Sequence, residues 1–212
     1  MTFNELKDRG EELLLELIAN AHQESFGLEF KQKEDPRTSN LSKNDRRNLG
    51  AALSASSNAD GGVIIFGVGT KKDEGIDVAV EALPIADIGR FEASITSLIG
   101  EYLRPENPSI ATLAIPSTNE NGAGYLAIQI GKSEMRPHMS MAPDHQKYFR
   151  RGVDSTRAMD HSEIRDMMMA PREARLSVSL ESEGFRVETQ LSHQVIDAAR
   201  QMAARKISAR LS

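Results

Sequence analysis

Leu6, Leu13, Leu14, Leu17, Ile18 and Ala21 recur at helical spacing, which predicts one amphipathic helix over residues 4–22 with an acidic outer face. A short strand follows around Leu28 to Lys31. Residues 33–40 are polar, contain Pro36 and form a loop; Ser42 then caps a helix, with Asp45 completing a capping box. That helix ends near Asn58-Ala59-Asp60-Gly61-Gly62, where the pattern changes to Val63-Ile64-Ile65-Phe66-Gly67-Val68, a strand apolar on both faces and therefore buried. Gly69 to Gly75 is a polar turn, and a helix runs from about Pro84 to Tyr102, its proline in the first turn where the missing N–H costs nothing.

Two β-rich runs, Ile110 to Ile115 and Tyr125 to Ile130, are joined through Asn119-Glu120-Asn121-Gly122, which has hairpin turn chemistry. Residues 131–145 look irregular, and Lys147 to Arg151 is another short strand. Asp160 and Glu163 form a second capping box, for a helix through Met169. Beyond Pro171 the character changes: Leu176 to Leu180 and Phe185 to Thr189 alternate around Glu183-Gly184 as a hairpin, and Ser192 caps a final helix to about Arg210. The expectation is an α+β domain over residues 1–170, with mixed sheets flanked by helices, and a hairpin-helix appendage over 171–212.

With 212 residues and 39% hydrophobic content, the chain can build one generous core or two small lobes. No apolar run approaches the roughly 20 residues of a membrane span. The acidic first helix is unlike a secretory signal, so a soluble, cytoplasmic protein with no membrane partner is expected. Without cysteine there are no disulfides, thiolate zinc sites or cysteine nucleophiles. The formal charge is −5, but residues 1–30 carry seven acids against two bases and the rest of the chain is balanced. Any phosphate-binding surface must therefore be a local patch assembled by folding.

Three constellations carry chemistry. Glu29 and Lys31 lie two apart, so in a strand they share a face while Leu28 and Phe30 pack behind them. A carboxylate beside a lysine suits a metal-dependent phosphodiesterase, with Glu24 joining Glu29 as a second ligand if the chain turns at Gly27. The same charges also suit a protected edge strand. Gly61-Gly62 can offer backbone N–H groups to a phosphate, or can simply end a helix. Gly131-Lys132-Ser133 imitates the end of a P-loop, but Leu126 occupies the position of that motif's first glycine, and the motif is rejected. Lys147, Arg150, Arg151 and Arg157 gather in eleven residues with Tyr148 and Phe149 interleaved, a combination suited to looped or single-stranded nucleic acid. His138 and His145 flank the neighbouring loop as candidate phosphate donors.

Taken in order, Glu-x4-Glu-Phe-Lys, Asn-Ala-Asp-Gly-Gly-Val-Ile-Ile-Phe-Gly-Val, Lys-Tyr-Phe-Arg-Arg-Gly and a closing Met-x3-Glu-Ile resemble the Schlafen AlbA-like domain family over about residues 20–169. The resemblance implies an α+β fold of two related lobes around a groove for DNA or RNA, often in a homodimer. Bacterial members are commonly labelled DNA-binding, regulator-like or ATP-binding. Animal members include Mg²⁺- or Mn²⁺-dependent endoribonucleases acting on transfer RNA, whose two glutamates correspond to Glu24 and Glu29. Their third acid falls directly after the Gly-Val pair, where this chain has Gly69, and their zinc-binding cysteines are absent. The favoured expectation is a nucleic-acid-binding protein, with Lys147, Arg150, Arg151 and Arg157 lining the groove and Glu24, Glu29 and Lys31 at its floor.

Overall fold

The structure, a computed structural model, describes residues 2–152, 155–170, 175–181 and 184–190. By their internal contacts the residues fall into two units, Met1–Met168 and Met169–Ser212.

In the first unit the N-terminal apolar stripe makes two helices, α1 (Phe3–Arg9) and α2 (Glu11–Ala19), and not one. Gly10 adopts φ 57°, ψ −133° between them, outside the helical region and open to a residue without Cβ. Strand β1 (Leu28–Lys31) leads to α3 (Lys43–Ser57), where the Ser42–Asp45 capping box is present. After β2 (Gly62–Phe66), the expected polar turn is instead a ribbon of β3 (Val68–Asp73) and β4 (Ile76–Ala82), closed by Glu74 and Gly75, both at positive φ. Helix α4 (Ile88–Tyr102) starts later than Pro84, because Ile85 exchanges backbone hydrogen bonds with Gly124 and holds the chain extended.

The short β5 (Leu103–Arg104) is followed by β6 (Ile110–Pro116) and β7 (Gly124–Ile130). The stretch expected to be irregular contains β8 (Met139–Ser140); then come β9 (Lys147–Arg151), β10 (Thr156–Ala158) and α5 (His161–Met169). In the second unit β11 (Arg175–Glu181) pairs antiparallel with β12 (Gly184–Gln190). The helix expected from Ser192 lies outside the described residues.

The central sheet has the order β1-β2-β7-β6, with β1 parallel to β2 and the other pairs antiparallel. Both faces are covered, which accounts for the unbroken apolar run in β2. Ile64 and Phe66 join Leu49 and Leu53 of α3 and Phe91 and Ile95 of α4, with Phe66 and Phe91 edge to face at 5.7 Å. Val63 and Ile65 join Leu14, Leu17, Leu28 and Phe30 on the opposite face. Because β1 is an edge strand in register Glu29↔Ile64, Glu29 and Lys31 point to the α3 side at the sheet margin.

A second sheet, β10-β9-β8-β5, packs on α3. Asn58, the residue after α3, holds it there: its side chain donates to the carbonyls of His138 and Phe149 and accepts the His138 N–H, at 2.9, 2.9 and 2.6 Å. Ser54 Oγ bonds the same two residues, donating to the His138 carbonyl and accepting the Phe149 N–H. This is a mixed α+β fold with five helices among the described residues.

Candidate nucleic-acid interface

The chain turns back at Phe26-Gly27, with Ser25 and Leu28 exchanging backbone hydrogen bonds, before entering β1. The turn swings Glu24 over the strand edge, where its Oε1 accepts the Phe30 N–H at 2.7 Å. The Glu24 N–H donates to the Asp77 carbonyl on β4. Burial raises the Glu24 carboxyl above its ordinary pKa; the Phe30 N–H opposes that shift and the nearby Glu29 adds to it.

Glu29 is buried, and its two oxygens face two cations. Oε1 pairs with Lys31. Oε2 accepts from Arg151 Nη1 at 2.5 Å, while Arg151 Nη2 donates to the carbonyls of Ser25 and Leu28 at 2.8 and 3.1 Å. The early acidic strand and the late cationic strand are thus joined directly, at a sequence separation of 122 residues.

Around this brace lies a cleft of about 390 Å³, walled by Asn48, Ala51 and Ala52 of α3, by Gly75, Ile76 and Asp77 of the ribbon, and by His145, Phe149, Arg151 and Thr156. Glu24, Ser25, Glu29 and Lys31 complete it. The His145 ring leans on Phe149 at 4.8 Å, and its Nδ1 has no hydrogen-bond partner among the described residues. Lys72 is the cross-strand partner of Asp77 and so shares its face of the ribbon. Phe26, beside Ser25, is 61% exposed.

Several expected site residues are placed elsewhere. Alternation along β9 sends Phe149 and Arg151 into the cleft and Tyr148 and Arg150 to the other face, so Tyr148, Arg150 and Arg157 do not line it. Arg150 and Arg157 are cross-strand partners bridged by Glu163, which is held well below the usual carboxylate range by Arg157, by the Asp160 N–H and by Arg150. Lys147 is exposed at the start of β9, outside the lining.

His138 cannot act as a surface donor. It is fully buried, Nδ1 lies 2.7 Å from the Pro105 carbonyl and Nε2 2.7 Å from Ser133 Oγ, and burial pushes its pKa down, toward a neutral ring. Gly61 and Gly62 do not line the cleft either. The Gly61 N–H is already bonded to the Ser56 carbonyl, and a Cβ there would lie 2.2 Å from the Ile130 carbonyl oxygen. Gly62 packs on the Gly27 backbone. The pair ends α3 and lets two chain segments touch, leaving no phosphate cradle.

As arranged, the donors do not fit a divalent ion: both Glu29 oxygens are engaged by cations, and no group of three His, Cys, Asp or Glu is placed to hold a metal among the described residues. Gly69 lies on β3, packed against Glu81, and Asp73 is exposed outside the cleft; the third cleft acid is Asp77. Sequence reasoning missed Asp77, Asn48, Lys72 and Phe26. Only the Glu74-Gly75 pair, a two-residue hairpin turn, could have located the ribbon that carries Asp77 and Lys72.

An α+β domain with an ion-paired cleft between a sheet edge and a second small sheet is the class that these features define. A family model, Schlafen AlbA_2, matches residues 24–160, and the chain belongs to this family. No curated protein matches the sequence. Among solved structures, the chain is similar to the N-terminal domain of a putative ATP-dependent DNA helicase RecG-related protein from Nitrosomonas europaea. The two are 21% identical over 71% of this chain and 94% of that one, with a TM-score of 0.44. No helix among the described residues is long and apolar enough to cross a membrane.

Proposed function

We propose that this chain binds nucleic acid, with the cleft between β1, α3 and β9 as the point of engagement. The observation that carries the reading is the Arg151–Glu29 brace, which brings the two family motifs richest in charge to opposite walls of one cleft. Membership of the Schlafen AlbA_2 family supports it. Beside residues of the lining lie Lys72, cross-strand from Asp77, Lys147, at the start of the strand that carries Phe149 and Arg151, and the exposed ring of Phe26, next to Ser25; neither lysine is in an ion pair among the described residues. Cations for the backbone and a ring for a base are the elements that single-stranded or looped nucleic acid requires.

The test is fluorescence anisotropy with labelled oligonucleotides across a salt series. Each phosphate neutralised contributes a slope of about −0.7 to −0.9 in log K against log salt, so two or three contacts give about −2. Lys72→Glu with Lys147→Glu should flatten that slope and weaken binding while the circular dichroism spectrum is unchanged. An unaltered slope removes these two lysines from the interface, and an absence of binding to any DNA or RNA removes the proposal.

A further inference from the structure

The cleft presents a difficulty for any phosphate. Its lining holds three carboxylates, Glu24, Glu29 and Asp77, against the cations Lys31 and Arg151, and those two cations already face Glu29. A phosphodiester moved inward would meet Glu24 and Asp77 with no free positive charge among the described lining residues to offset them. The base of a nucleotide carries no charge, and its exocyclic amino group donates hydrogen bonds that a carboxylate accepts.

We infer that the cleft is a pocket for one unpaired, amino-bearing base, with Glu24 and Asp77 accepting from its amino group and His145 beside its ring, while the backbone stays outside near Lys72. This rests on the nucleic-acid reading above and specifies what enters the cleft. The volume, about 390 Å³, falls in the range of pockets for small ligands and is far too small for a duplex. Among the described residues Glu24 has only Oε1 engaged, by the Phe30 N–H, and Oε2 is the oxygen that would meet a ligand. His145 is already braced by Phe149, whose ring lies 4.8 Å away and tilted by 57°, so a base laid on the open face of the imidazole would meet a ring held in place from its other side. The arrangement favours an unpaired base because two carboxylates call for both amino hydrogens, and in a duplex one of the two on cytosine or adenine is used by the pairing partner.

Cytosine and uracil give the sharpest comparison, since they differ only at C4 and N3: cytosine presents an amino group where uracil presents a carbonyl oxygen, which the carboxylates would repel. The full chain is titrated by anisotropy with labelled oligo(C), oligo(U) and a duplex containing the same cytosines. A preference of about fivefold or more for oligo(C) over oligo(U), and weaker binding to the duplex, is expected if one or two hydrogen bonds are read. Glu24→Gln keeps a carbonyl for the Phe30 N–H and adds a donor, so the preference should fall toward unity while the fold is retained. His145→Ala should weaken oligo(C) and oligo(U) alike by about fivefold or more and leave their ratio unchanged. Equal affinity of the unaltered protein for the two oligonucleotides, or a ratio untouched by Glu24→Gln in a folded variant, overturns the base pocket and leaves nucleic-acid binding standing. Failure to bind any of the three probes overturns both.

Discussion

Arg151→Met removes the guanidinium that joins β9 to β1. The Glu29 and Arg151 side chains are only 7% and 10% exposed, so breaking the pair leaves a poorly solvated carboxylate. Losing one partner of a buried pair costs about 3–5 kcal/mol in general. Here Lys31, 27% exposed, still faces Glu29 and lowers the penalty, while two bonds to carbonyls are lost in addition. A destabilisation of about 3 kcal/mol is expected for Arg151→Met, and about 2 kcal/mol for Glu29→Gln. The double variant strands neither the buried carboxylate nor the buried guanidinium, leaving only the more exposed Lys31 without its partner, and should cost little more than Arg151→Met alone, giving a coupling energy of about 2 kcal/mol. Urea unfolding followed by circular dichroism measures all three, and for a chain of this size 1 kcal/mol moves Tm by about 2–4 °C. A coupling below about 0.5 kcal/mol, the range of independent sites, would refute a direct brace between the two strands.

Two further outcomes follow from the same geometry. Asn58→Ala deletes three buried hydrogen bonds between α3 and the second sheet and strands the His138 N–H, so it should cost about 3 kcal/mol; Asn58→Asp, which keeps only the acceptor, should recover little of it, both read by urea unfolding. Glu24 carries a raised pKa, so the folded state favours its protonated form: that contribution is full below the unfolded carboxyl value and is lost as pH rises through the folded one. Glu24→Gln should therefore raise Tm near pH 7 and leave it almost unchanged near pH 4, and an equal effect at both pH values would contradict a half-buried, partly desolvated carboxyl.

The elements easiest to find in the sequence are those whose signal is local. Ser42 with Asp45, and Asp160 with Glu163, mark helix starts because the capping bonds span only three residues. Val63 to Phe66 declare a buried strand because both faces of the central sheet are covered. The β3–β4 ribbon escaped, since Thr70-Lys71-Lys72-Asp73 has no apolar alternation and is held by cross-strand pairing and the Glu74-Gly75 turn. Gly10 likewise splits an otherwise continuous stripe through a backbone angle that no periodicity records. At the site, the meeting of Glu24 with Glu29 could be framed from the offset and Gly27, whereas the fate of each cation depended on partners far along the chain. His138 is the clearest case: its burial is decided by Pro105, Ser133 and Asn58, none of which its own neighbourhood announces.

The three arginines of the β9–β10 region divide by what each would surrender to meet a phosphate. Arg151 would abandon a buried carboxylate and two backbone carbonyls, so it stays in place and serves the fold. Arg150 and Arg157 share Glu163 at an exposed surface, their side chains about half accessible, and exposed ion pairs contribute little because water and salt screen them. A phosphate can take either arginine while the other, with the Asp160 N–H, still holds Glu163, whose side chain is 17% exposed. Charge reversal should therefore separate the two roles. Arg150→Glu should weaken nucleic-acid binding and leave Tm within about 2 °C of the unaltered protein, as expected for a surface substitution away from buried partners. Arg151→Glu sets two carboxylates against each other in the cleft wall and should lower Tm sharply before any effect on affinity can be read. Were Arg151→Glu to fold normally and lose only binding, the arginine would be a ligand contact, and the cleft wall would have to be held by Asn58 and Ser54 alone.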